Sequence, residues 1–207
     1  MKDYRIYIVD DDEALCEALG YLLRSENLPV ETFGSAHQFL ERFDPQRPAV
    51  LILDVRMRGM DGLELQQYLA DRGWRIPIII LTGHGDIPMA VKAIRAGAVE
   101  FLQKPVNDQA LFNSIYQAVA LDKKNRELHG QLCAVEDKIE SLTKREREVM
   151  NLVVDGMANK QIAERLGVSE KTIEVHRKHL MHKMGADSSI DLVSTVLWYR
   201  NHKNGQT

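Results

Sequence analysis

Ala49-Val50-Leu51-Ile52-Leu53-Asp54 is the stretch that decides the fold. Five apolar residues in a row, closing on an acid, read as a strand buried on both faces of a parallel sheet. The same form recurs on either side. Ile6-Tyr7-Ile8-Val9 runs into Asp10-Asp11, Ile78-Ile79-Ile80-Leu81 into Thr82, and Glu100-Phe101-Leu102-Gln103 into Lys104-Pro105. Strands are expected over 5–9, 30–33, 49–53, 78–82 and 100–103, alternating with amphipathic helices over 13–26, 35–42, 62–71, 87–96 and 108–121. Five βα units predict an α/β fold: a doubly wound five-stranded parallel sheet with right-handed crossovers and helices on both faces.

The carboxyl ends of parallel strands converge on one edge, where ligands bind. Here that edge collects Asp10, Asp11, Asp54, Thr82 and Lys104. Crowded carboxylates are strained unless a divalent cation neutralises them. A hard cation, a hydroxyl and an ammonium beside one acid form a site that accepts a phosphoryl group, because that chemistry needs an in-line nucleophile and charge neutralisation and little else. Asp54 would be the nucleophile, and Gly83 would leave room for the incoming group. Acids at this place also cap a following helix, whose dipole favours them. Capping suits Asp12, whereas Lys104 argues that Asp10 and Asp11 do more.

With 207 residues, the chain has room for one large or two small domains. Its apolar runs are too short to span a membrane, and no secretory signal opens it, so the cytoplasm is the expected location. Cys16 and Cys133 are far apart and read as free thiols. The net charge of −3 hides an asymmetry: residues 1–121 hold 12 Lys+Arg against 17 Asp+Glu, and residues 143–207 hold 11 against 8. A basic end on an acidic body points toward nucleic acid.

Residues 122–142 form a helical linker. Ala118, Leu121, Asn125, Leu128, Leu132, Val135, Ile139 and Leu142 follow a 3-4 spacing, a seam that fits either a coiled-coil dimer or a helix covering its own domain. Residues 143–207 read as all-helical, with helices over 144–155, 159–166, 169–184 and 188–200. Thr143 and Glu146 have capping-box spacing, and Leu166-Gly167-Val168-Ser169 is a helix-turn-helix link with Ser169 able to cap the next helix. On the helix over 169–184, Ile173, Leu180 and Met184 share a core-facing side. Leu192, Val193, Val196 and Leu197 on the last helix fit a core or a dimer face equally. His176, His179 and His182 step by three and drift around the helix, so they do not read as a metal site.

Asp10-Asp11, Asp54, Met57…Gly62, Thr82-Gly83 and Lys104-Pro105, in this order at strand ends, make residues 1–121 resemble the receiver domain of bacterial two-component response regulators, a flavodoxin-like (CheY-like) fold. The resemblance implies that Asp54 accepts a phosphoryl group from a sensor histidine kinase. It implies Mg²⁺ held by Asp11, Asp54 and the backbone carbonyl of Arg56, with Asp10 acting through water. It also implies that Lys104, before a cis proline, binds a phosphoryl oxygen. Thr82 and Phe101 would form the switch, moving the loop Gly83-His84-Gly85-Asp86-Ile87-Pro88. Val91, Lys92, Ile94, Arg95 and Glu100 would form a dimer face, where Val91 and Ile94 fit core packing as well. Two positions depart from the family's habit: Arg58 stands where proline is frequent, and the switch aromatic is Phe101, without a phenolic hydroxyl.

Leu142-Thr-Lys-Arg-Glu-Arg-Glu-Val149, Gly156-Met-Ala-Asn-Lys-Gln-Ile-Ala163 and Val168-Ser-Glu-Lys-Thr-Ile-Glu-Val-His-Arg-Lys-His-Leu180 resemble the LuxR-type helix-turn-helix domain of the NarL/FixJ class, with a lean to the FixJ branch. The resemblance implies that Glu174, Val175 and Lys178 read bases in a major groove. Asn159, Lys160, Gln161, Thr172, Arg177 and Lys183 would touch phosphates. Glu146 would pair with a basic side chain of the recognition helix.

The expected function is a phosphorylation-controlled transcription factor. It would dimerise when phosphorylated and grip an inverted repeat in double-stranded DNA, with RNA polymerase a further partner. No enzymatic turnover is expected beyond autodephosphorylation. An aspartyl-phosphate hydrolase would want a second acid two residues after the nucleophile, where Arg56 stands. A constitutive DNA-binding protein would have no use for the complete acidic set, Thr82 and Lys104.

Overall fold

The computed structural model describes residues 4–83 and 87–204. The chain divides into two compact units, residues 1–125 and 126–207.

In the first unit, β1 (Arg5–Val9), β2 (Val30–Phe33), β3 (Ala49–Leu53), β4 (Ile78–Thr82) and β5 (Glu100–Gln103) form one parallel sheet in the order β2-β1-β3-β4-β5. Their carboxyl ends therefore lie along one edge, with β1 and β3 side by side and Val9 opposite Leu53. β3 and β4 are buried at every position, as the unbroken apolar runs require. Side-chain alternation divides the core in two. Val9, Leu51, Leu53 and Ile80 face α2 (Ala36–Arg42), α3 (Gly62–Asp71) and α4 (Ile87–Arg95). Ile6, Ile8, Ile52 and Ile79 face α1 (Glu13–Ser25) and the start of α5 (Asp108–Glu140).

The helices start where the sequence places acceptors. Asp12 takes Leu15 N–H at 3.1 Å, the capping role expected of it. Asp61 and Glu64 form a capping box on α3. Gly62, the first residue of α3, must be glycine: a Cβ there would sit 2.1 Å from the backbone oxygen of Asp54. The absence of a side chain lets α3 begin directly against the residue that carries the expected chemistry.

α5 runs unbroken through Glu140, past the expected domain end at 121. Part of the 3-4 seam is taken up inside the single chain. Leu132 is covered within the single chain, and Ile139 packs against the core of the second unit with Leu142. Leu121, Asn125, Leu128, Val135 and Ile139 keep some exposure. A 3-4 repeat reads the same whether a helix packs on its own domain or on a second chain.

The second unit consists of the end of α5 with α6 (Lys144–Val154), α7 (Asn159–Leu166), α8 (Glu170–Met184) and α9 (Ser189–Asn204). Its core joins Val149, Leu152, Ile162, Ile173, Leu180, Met184, Leu192 and Val196. α7 stops at Gly167, which has φ of 66°, a left-handed conformation that glycine takes without strain. Ser169 then caps α8 by accepting from Thr172 N–H at 3.1 Å. On α9, Leu192 and Val196 are core, Val193 is half-buried and Leu197 is exposed.

Candidate functional site

At the carboxyl edge of the sheet, Lys104 Nζ lies 2.5 Å from Asp10 Oδ2 and 2.8 Å from Asp54 Oδ1. The three residues end β5, β1 and β3, so the strand order alone brings them together. Both acids are buried, at 3% and 5% exposure. One ammonium thus serves two carboxylates, and a net negative charge is left in a poorly solvated place. Burial is the main force pushing the Asp54 carboxyl above its usual range. Lys104 and the N–H of Arg56 pull it down, Asp10 pushes it up, and the balance is upward. Burial alone would lower the Lys104 ammonium, but its bonds to Asp10 and Asp54 outweigh that and hold it above the ordinary lysine range.

The remaining expected residues are placed around this triad. Asp10 Oδ1 accepts from Asp12 N–H at 3.0 Å. Asp11 is exposed, and its Oδ2 accepts from Arg58 N–H at 3.3 Å. Thr82 is buried at the end of β4, beside β5. Phe101 is half-buried against the core on the α3–α4 side. The Lys104-Pro105 peptide is cis, as expected. Gly83 has open space where a Cβ would stand. His84, Gly85 and Asp86 of the expected switch loop lie outside the described residues.

The donor set is oxygen only, which suits a hard divalent cation. Among the described residues, no three acids or histidines already converge on one point. Asp54 is shared with Lys104, and Asp11 stands at the mouth, in an open depression of about 460 Å³ lined by Arg56, Met57, Arg58, Asp61 and Met89. A cation there would add the positive charge that the buried pair of acids lacks.

On α4, Val91 and Ile94 are 43% and 45% exposed, so they do not pack in the core, and Lys92 and Arg95 are exposed beside them. Glu100 is half-buried and accepts from Phe101 N–H. Gln66 was not singled out in the sequence. It is buried on α3 and donates to Ala93 O of α4 at 3.0 Å. The signal was available: positions 62, 65, 66 and 69 share one helix face, and a lone polar residue there needs a partner.

In the second unit, Glu174, Val175 and Lys178 are exposed together on α8, Val175 at 50%. Lys160 is exposed and Asn159 half-buried at the start of α7, where Gln161 accepts from Ala158 N–H at 2.9 Å. The Thr172 hydroxyl pairs with Ser169 Oγ at 2.8 Å, and Arg177 donates to Ser189 Oγ at 2.6 Å. Lys183 is a correction. Its ammonium turns inward and donates to Glu146 Oε2 at 2.7 Å and Ser141 O at 3.1 Å, so it braces the fold rather than reaching a phosphate. It is the basic partner expected for Glu146, whose carboxyl it holds, with Thr143 N–H, at about 2. The last helix carries a contact the sequence did not suggest: Tyr199 and Lys203 both donate to Glu136 on α5.

No helix among the described residues is long and apolar enough to cross a membrane. Residues 6–116 match the response regulator receiver domain family, and residues 140–196 match the bacterial regulatory proteins of the luxR family. The chain is 48% identical over 188 residues to the response regulator protein TmoT of Ectopseudomonas mendocina, covering 91% of this chain and 86% of that one. It resembles the solved structure of the response regulator StyR with a TM-score of 0.87 at 44% identity, covering 95% of this chain and all of the other. Full-length FixJ from B. japonicum matches with a TM-score of 0.58 at 37% identity, covering 94% of this chain and 96% of that one. With both halves matched in order, the chain belongs to the two-component response regulators that join a receiver domain to a LuxR-type helix-turn-helix domain and regulate transcription.

Proposed function

We propose that Asp54 is the phosphoacceptor, receiving its phosphoryl group from a sensor histidine kinase, and that this event drives dimerisation and operator binding. The observation that carries the proposal is the single Lys104 ammonium shared between the buried carboxylates of Asp10 and Asp54. Asp54 supplies the attacking oxygen. Asp11, Asp54 and the Arg56 carbonyl would hold Mg²⁺, with Asp10 reaching it through water; the ion's chemistry is to neutralise charge on the transferring group. Lys104 would then exchange one of its carboxylate partners for a phosphoryl oxygen. Thr82, at the neighbouring strand end, would follow the new acceptor oxygens, and Phe101 would repack. The exposed α4 face, Val91, Lys92, Ile94 and Arg95, is the proposed dimer surface.

At the DNA, the exposed stripe of Glu174, Val175 and Lys178 would meet base edges: Glu174 accepting from cytosine, Val175 against a thymine methyl, Lys178 donating to guanine. Asn159, Lys160, Gln161, Thr172 and Arg177 would position the helix on phosphates. A dimer reads an inverted repeat. The protein acts in the cytoplasm as a switch and not as an enzyme of turnover.

The test is incubation of the full chain with Mg²⁺ and a small phosphodonor, reading the phosphoryl adduct by intact mass, followed by selection of bound duplexes from a random DNA pool. Wild type should gain the adduct, sediment as a dimer and enrich an inverted repeat. Asp54→Asn should do none of these. An adduct of equal yield on Asp54→Asn refutes the assignment.

A further inference from the structure

We propose that the backbone N–H of Arg58 is a positioning group for Asp11, fixing that carboxylate for the divalent cation; the proposal rests on the phosphoacceptor assignment above. Asp11 lies at the end of β1 and Arg58 in the loop after β3, and Arg58 N–H donates to Asp11 Oδ2 at 3.3 Å. Asp11 is exposed, and this bond orients its carboxylate. A carboxylate has two oxygens, and the bond leaves Oδ1 able to ligate.

The same loop acts twice. Arg56 N–H draws the Asp54 carboxyl down, and two residues on, Arg58 N–H bonds the carboxylate of Asp11. Backbone N–H groups of one short loop thus act on both acids expected to touch the cation. Donors of this kind orient ligating carboxylates, and removing one typically costs about 10–100-fold in metal affinity. The depression that Asp11 faces is lined by Arg58 itself, so donor, acid and open space are contiguous. The bond requires that residue 58 have an N–H at all, which every residue but proline supplies.

That requirement gives a clean pair of variants. Arg58→Pro and Arg58→Ala both remove the guanidinium, but only Arg58→Pro removes the N–H. Their difference isolates the bond from the charge. Mg²⁺ binding to the full chain is measured by calorimetry, with melting temperatures compared in the absence of metal. Because Asp11 is exposed, the lower end of the range is expected: Arg58→Pro should bind Mg²⁺ about tenfold more weakly than Arg58→Ala. Equal affinities in two folded variants overturn the proposal. In case Arg58→Pro does not fold, the Arg58 amide is followed by NMR in metal-free wild type and Asp11→Ala. It should shift and exchange faster in Asp11→Ala; an unmoved amide overturns the proposal. A wild type that binds no Mg²⁺ overturns the phosphoacceptor assignment as well, which separates the two failures.

Discussion

Lys183→Met removes an ammonium from a pair whose other half cannot leave. Glu146 is 4% exposed, and its Oε2 accepts from Lys183 Nζ at 2.7 Å and from Thr143 N–H at 2.8 Å. In the variant the backbone bond survives, but a buried carboxylate loses its counter-charge. Stripping one partner from a fully buried pair costs about 3–5 kcal/mol. The Lys183 side chain is 33% exposed, so water already screens part of the attraction. With that discount and the surviving bond, we expect a loss of about 2 kcal/mol. The chain offers a reporter, because its two tryptophans fall one to each unit, Trp74 in the first and Trp198 in the second. Urea unfolding followed by Trp198 fluorescence in a Trp74→Phe background reads the second unit alone. A loss below about 0.5 kcal/mol would place the pair among surface ion pairs and refute the reasoning.

The pH dependence gives a second handle on the same pair. Glu146 titrates at about 2 in the fold, held down first by Lys183 and then by Thr143, against an ordinary value of 4.5. A depressed acid contributes stability that is complete above its unfolded pKa and is lost as pH falls through the folded one. The difference between wild type and Lys183→Met should therefore be constant above about pH 4.5 and shrink toward pH 2. Glu146→Gln should abolish that shrinkage, and the double variant should cost less than the sum of the singles.

Gly62→Ala would drive a Cβ to 2.1 Å from Asp54 O, backbone against backbone, and should cost the receiver unit toward the upper end of about 1–3 kcal/mol in urea unfolding read by Trp74; a neutral variant would mean that α3 can retreat freely. Lys104→Met leaves Asp10 and Asp54 buried without a counter-charge, so Asp54 should rise further above its ordinary range and the variant should gain receiver stability relative to wild type as pH falls toward the ordinary carboxylate range. A stability flat across that window counts against the shared-ammonium geometry. Ile139→Ala should cost the second unit about 1–3 kcal/mol without changing sedimentation, whereas a loss of association at unchanged stability would restore the linker seam as an interface between chains.

Much of this was legible in the sequence, for identifiable reasons. β3 and β4 are buried at every position, so their apolar runs could be read without an alternating pattern, and parallel pairing then forced Asp10, Asp54 and Lys104 onto one edge. Capping chemistry at Asp12, Thr143 and Ser169 is local and was readable for that reason. What depended on distant partners was not. Lys183 stands next to Met184 at the border of the buried face of α8, where a long side chain can turn either way, and only Glu146, 37 residues earlier, decides it. The linker repeat specifies an apolar face but not what covers it; Ile139 is spent inside its own unit. The Arg58 bond runs through a backbone N–H, which nearly every residue type carries and which leaves no mark in sequence.

Asp54–Lys104 and Glu146–Lys183 are the same chemical pair with opposite outcomes, and the difference locates the function. Glu146 has an ammonium of its own and a backbone donor, so its bonds outweigh its burial and its carboxyl is pulled far down. Asp54 must share its ammonium with Asp10, and its burial outweighs the bonds it makes, so its carboxyl is pushed up. A fold selected for stability alone would provide the second compensating charge, as it does at Glu146. Leaving Asp54 short of one positive charge makes the site weaker on its own and better suited to bind a cation or a group that brings charge compensation with it. The electrostatic deficit thus lies in the receiver unit, where chemistry is proposed, and the fully compensated pair lies in the helix-turn-helix unit, where α8 must hold one shape to present the proposed base readers Glu174, Val175 and Lys178.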